Sequence, residues 1–112
     1  MLKIEAVIRS TKLQQVKKEL EQIGIVTFSS FEVKISGVSH WSYGGKPGAF
    51  KTSVLIPKTK IEIICREKDI DRITQAIAKG AKTGNAGDGI VYVCPIMQLM
   101  KIKNGQLDER AI

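Results

Sequence analysis

Apolar residues recur along this chain with two periods, and the switch from one to the other happens twice. Residues 3–9 read KIEAVIR and residues 60–66 read KIEIICR, two short runs of strand character at an offset of 57 residues. At the same offset Leu13, Val16 and Leu20 line up with Ile70, Ile73 and Ile77. A spacing of three then four places each set on one face of a helix, with the intervening polar residues on the solvated side. A β-rich run follows each helix. Phe31, Val33 and Ile35 alternate with polar partners in the first, and IVYVC at 90–94 is continuously apolar. The expected elements are strands near 2–9, 25–36, 54–66 and 90–94, and helices near 11–23 and 67–81. Ser10 or Thr11 is expected to cap the first helix and Gly24 to end it. Asp69 falls in the first turn of the second, and the stretch 80–84 marks its end. Phe28 is out of phase with Phe31, which predicts a bulge or kink near Ser29 and Ser30.

A β-α-β unit repeated twice in 112 residues predicts an α+β fold of the ferredoxin-like, split βαβ type. Both helices then lie on one face of an antiparallel sheet, in one domain spanning 1–112. The other sheet face carries apolar residues with no second helical layer, so self-association across it is expected.

Composition narrows the partners. The 43% hydrophobic and 26% charged content is that of a globular chain with one core. A net charge of +7 favours an anionic partner, such as nucleic acid, an acidic membrane surface or a phosphorylated small molecule. Nucleic acid is disfavoured. The positive residues are scattered, aromatics do not interleave with them, and the arginines that read bases are few (Arg9, Arg66, Arg72, Arg110). No apolar run reaches the roughly 18 residues of a membrane span, and residues 1–10 lack the pattern of a secretory signal. Cys65 and Cys94 sit in strand-like runs and are expected to be buried free thiols. A single histidine, His40, with no cysteine cluster near it argues against structural zinc. The expected compartment is the cytosol.

Three stretches lie outside the repeat. Residues 37–53, GVSHWSYGGKPGAFKTS, are long for a connector, and Trp41, Tyr43 and Phe50 within them suit contact with a protein partner. The tail 95–112 begins at Pro95, which should break the last strand. Its LMKIK segment is expected to form a short strand showing Lys101 and Lys103 on one face. The third stretch, TGNAGDGIVYV at 83–93, has two readings. Gly84, Gly87 and Gly89 can let a ligand approach the backbone as in a phosphate cradle, or can simply stop a helix and make a tight turn. Known cradles follow a strand and open a helix, whereas here the order is reversed.

These residues resemble the PII signalling proteins over essentially the full length, including the terminal DERAI. The family's C-terminal signature is met by Thr83, Gly87, Asp88, Gly89, Val91 and Tyr92, and IEAVIR, FEVK and IPKTKIEII look like its core. The resemblance implies a non-enzymatic homotrimer with a nucleotide site at each subunit boundary, where ATP and ADP compete. It also implies a long loop that reports the bound nucleotide to a target protein (a transporter, a metabolic enzyme or a regulator). By the same resemblance Val7 and Ile64 wall the adenine, with Glu62 and Ile63 beside it. Ser29 hydrogen-bonds the nucleotide, Gly37 and Val38 sit at the loop base, and the 87–89 backbone holds phosphates. Lys101 and Lys103 replace two arginines that reach the phosphates from a neighbouring subunit, keeping charge but losing the bidentate fork. The partner-facing loop would include His40, Trp41, Tyr43, Phe50 and Lys51.

Departures from the family pattern are concentrated. Ile90 stands where the family has a basic residue, Val38 where it has an arginine, and Lys51 where it has a modifiable tyrosine. Ser39 replaces the glutamine that helps place magnesium and 2-oxoglutarate, which leaves magnesium open as a companion of the nucleotide but without that ligand. Lys58, which pairs with 2-oxoglutarate in the family, remains. The expectation is a divergent energy sensor without usual 2-oxoglutarate sensing. Its rivals are a PII-like sensor of AMP or a cyclic dinucleotide, a trimeric scaffold with an emptied site, and an acylphosphatase-like enzyme using Arg9 and Asn85.

Overall fold

The computed structural model describes residues 1–39 and 52–112. Four strands, β1 (Leu2–Ile8), β2 (Ser29–Ser39), β3 (Thr52–Cys65) and β4 (Gly89–Pro95), form one antiparallel sheet in the order β2-β3-β1-β4. Helices α1 (Leu13–Gln22) and α2 (Ile70–Ala81) each begin with a short 3₁₀ turn and pack together on one face. This is the ferredoxin-like arrangement that the double βαβ pattern predicts.

The core lies between sheet and helices. Ile4, Ala6 and Ile8 of β1, and Ile61, Ile63 and Cys65 of β3, meet Val16 and Leu20 of α1 and Ile73 and Ile77 of α2. The period of two and the period of 3.6 therefore turn their apolar positions toward one another.

Helix α1 ends as the pattern demands. Ile25 N–H donates to Leu20 O (2.9 Å) and Gly24 N–H to Glu21 O (3.0 Å), the paired bonds of a Schellman stop. The start differs, since neither Ser10 nor Thr11 caps α1 through its side chain. Ser10 Oγ instead meets the buried Thr59 Oγ1 (2.9 Å) and Glu32 (3.4 Å), a tertiary use that outcompetes a local cap.

The expected bulge near Ser29 and Ser30 is not formed, because Ser29 to Ser39 keep a continuous register with Glu62 to Thr52. The strand simply starts at Ser29, and Phe28 is out of phase because it precedes the strand and packs on the core. Helix α2 ends at Ala81, within the expected stretch 80–84, and Gly80 lies inside its last turn. A Cβ there would sit 2.6 Å from Val16 Cα, so the helices cross at contact distance. The tail makes no strand beyond the bridge of Met100 to Leu107, and residues 102–104 form a turn because LMKIK has no neighbouring strand to pair with. Both cysteines are free; Cys65 is buried, but Cys94 is only half-buried because edge strand β4 is uncovered on that side.

Gly80→Ala should destabilise the chain. Overpacking costs about 1–3 kcal/mol while helix propensity returns at most about 1 kcal/mol, so the urea midpoint should fall.

Candidate functional site

The end of β1 and the start of β4 build the first part of the site. Gly89 pairs with Ile8, and a Cβ on Gly89 would lie 1.8 Å from Val7 O, so no other residue fits at its φ of +104°. This pairing brings Arg9 against the loop that precedes β4. Arg9 Nη2 donates to Ala86 O (2.6 Å) and Nε to Asp88 Oδ1 (3.3 Å), while Lys58 Nζ donates to Gly87 O (2.6 Å).

Asp88 is the centre of that loop. Its Oδ2 accepts the N–H groups of Thr83 and Gly84, both at 2.9 Å, and its Oδ1 accepts the Thr83 hydroxyl. The Thr83 hydroxyl above all, then the two N–H groups and Arg9, hold the carboxyl far below the usual carboxylate range. The side chain is thus spent on shaping the loop. Among the described residues the N–H groups of Gly87 and Asp88 have no acceptor, and they remain available to an anion. Among the described residues no group of three or more His, Cys, Asp or Glu is suited to hold a metal ion.

The second part lies elsewhere. A groove of ≈ 630 Å³ runs between residues 24–29, residues 62–64 of β3, and the tail at Leu99 and Ile112. It includes Ser29, Glu62 and Ile64, and its lining is mainly apolar. Ile63 borders it too, but the Ile63 side chain is turned into the core. The tail is fastened beside this groove. Asp108 N–H donates to Leu99 O (2.8 Å), Asp108 Oδ1 accepts Leu99 N–H (3.1 Å), and Arg66 binds the backbone oxygens of Glu109 and Ile112. Lys101 and Lys103 are exposed at the tail turn that follows Leu99, closed by Gly105 N–H to Lys101 O (2.8 Å).

The expected site residues therefore fall into two groups. Val7, Lys58, Thr83 and 87–90 gather at the glycine-rich loop, with Val7 directly opposite Ile90. Ser29, Glu62 and Ile64 line the groove, which shares no lining residue with the loop, while Lys101 and Lys103 stand on the tail turn outside that lining. Gly37, Val38 and Ser39 close β2 opposite Val54, Ser53 and Thr52, beyond the end of β1. His40, Trp41, Tyr43, Phe50 and Lys51 lie outside the described residues. Sequence reading missed Arg9 as a loop staple. The signal was there, since a strand pair β1–β4 sets residue 9 against residue 88.

The family model described as "Nitrogen regulatory protein P-II" matches residues 1–106. The chain belongs to the P-II family. It is 33% identical over 112 residues to P-II 2 of Methanothermobacter thermautotrophicus, covering 100% of this chain and 97% of that one. It is 34% identical to P-II of Synechocystis sp., with both chains covered fully. Among solved structures, Arabidopsis thaliana PII bound to citrate superposes with a TM-score of 0.76 at 28% identity, covering 98% of this chain and 87% of that one. P-II proteins are non-enzymatic signal-transduction regulators, so the rival reading as an acylphosphatase falls. Arg9, moreover, is engaged within the loop.

Asp88→Asn should loosen the loop and lower stability at neutral pH. Because the folded carboxyl titrates below its ordinary value of 3.8, its contribution is full above that pH and is lost as pH falls through the lower folded value. The stability gap between wild type and variant, read by urea unfolding, should narrow progressively below pH 3.8.

Proposed function

We propose that this P-II chain works as a cytoplasmic homotrimer in which ATP and ADP compete for a site completed at each subunit boundary. The nucleotide's state is relayed to a target protein (a transporter, metabolic enzyme or transcriptional regulator) through the loop 37–53. One observation carries the reading. The loop with free backbone donors and the apolar groove are separate on one chain, and each is half of what a nucleotide requires. The base and sugar suit the groove at Ser29, Glu62 and Ile64; the phosphates suit the 87–89 backbone of one copy with Lys101 and Lys103 of the next. Magnesium would then be held chiefly by the phosphates.

Competition calorimetry tests this directly. ADP should displace ATP at one site per subunit. Lys103→Ala removes a charge-assisted contact of about 1.5–3 kcal/mol, so ATP affinity should fall roughly ten- to a hundredfold. An unchanged affinity would remove the tail from the site. Ile90 supports a second reading, since a 63% exposed apolar side chain beside the phosphate-holding loop favours fewer phosphates. Tighter binding of AMP or a cyclic dinucleotide than of ATP in a thermal-shift screen would select it.

2-Oxoglutarate should bind no more tightly than millimolar, with or without ATP and magnesium. Lys58 is already committed to Gly87 O and Arg9 to Ala86 O, so a dicarboxylate must displace existing bonds. Exposed ion pairs of about 0–1 kcal/mol each fall far short of the roughly 8 kcal/mol of micromolar affinity. A micromolar heat signal would overturn this expectation.

A further inference from the structure

The apolar groove is lined from two sources of unequal firmness. Residues 62–64 belong to β3, and residues 24–29 run from the Schellman stop of α1 into β2, so regular structure holds both. Leu99 and Ile112 come from the tail, which among the described residues has no strand partner beyond the bridge of Met100 to Leu107. Residues 108–111 make one short 3₁₀ turn, a conformation with little stability of its own. Ile112 remains 49% exposed and lies outside the core cluster, so burial does not hold it in place.

Arg66 does. It leaves β3 two residues after Ile64 and reaches across to the tail. Its Nε lies 3.0 Å from Glu109 Oε2, and its Nη2 donates to Glu109 O (3.1 Å) and Ile112 O (2.8 Å). Glu109 has one further ionic contact, the longer approach of the Met1 amino group at 3.9 Å. One guanidinium therefore ties a carboxylate and two backbone oxygens, a set that suits its planar fork and not the point charge of a lysine. Arg66 is absent from the groove lining and its charge is matched by Glu109, so its influence on a ligand passes through the tail.

We propose that Arg66 is a positioning residue for the base: on the nucleotide reading above, it sets Ile112 against the bound base and so raises the groove's affinity for that base. Ile112 is the contact and Arg66 acts through it. The clamp runs from the strand that carries Ile64 to the tail that carries Ile112, which fixes two apolar side chains of one groove relative to each other. A flat ring system gains from such a preset gap, because less of the groove needs ordering when it enters.

Calorimetry on the full chain with ATP and with inorganic tripolyphosphate tests the assignment. Arg66→Ala and Ile112→Ala should each weaken ATP about tenfold, leave tripolyphosphate unchanged, and together cost little more than either alone. Arg66→Lys should recover only part of the loss. Equal losses for both ligands, additive losses in the double variant, or an unchanged ATP affinity in Arg66→Ala would overturn the positioning role. In the ligand-free chain, hydrogen exchange at the Asp108 and Arg110 amides should quicken in Arg66→Ala while β3 stays protected. Unaltered exchange would show that Arg66 does not hold the tail. A wild type that binds no ATP, with exchange still quickened in Arg66→Ala, would overturn the nucleotide reading and the role in base placement with it.

Discussion

The Val7 carbonyl and Gly89 lie so close that a single methyl group cannot separate them. That contact locks the end of β1 to the start of β4, and the site follows from it. Arg9 leaves β1 directly beneath the loop, Lys58 reaches the same loop from β3, and Asp88 turns inward to gather the N–H groups at 83 and 84. The loop backbone is held in shape before any ligand arrives. Preorganisation of this kind lowers the ordering cost of binding an anion.

The second constraint is the uncovered sheet face. Helices bury the centre of one side of the sheet, at β1 and β3, and leave the other with apolar side chains around a neutral charge cluster. Among the described residues no further element covers it. The same geometry that leaves the face open also separates the glycine-rich loop from the groove. In the proposed trimer, assembly and completion of the site are one event; Glu62 lines the groove while pairing with Lys3.

Much of this was legible in the residues. The 57-residue repeat carried both helices and the sheet, since its apolar periods are strong and its Schellman stop at Gly24 is local. What escaped was decided by tertiary contact. Ser10 reads as a cap until Thr59 and Glu32 claim its hydroxyl. LMKIK reads as a strand until no partner strand is beside it. For the site, the glycines and Thr83 were visible as a motif, but the role of Asp88 as a staple and of Arg9 as its support needed the β1–β4 register.

In the proposed reading one chain holds two half-sites that only a neighbouring copy completes. Subunit mixing tests it most directly. One variant carries Gly89→Ala, which destroys the loop half; the other carries Lys101→Ala and Lys103→Ala, which destroys the tail half. Each alone should bind ATP poorly. After the two are dissociated together and reassembled, about a quarter of the boundaries in a randomly mixed closed ring should pair an intact loop with an intact tail. Calorimetry should then recover wild-type ATP affinity at that reduced stoichiometry. If the mixture binds no better than its parents, both halves act within a single chain and the account is wrong.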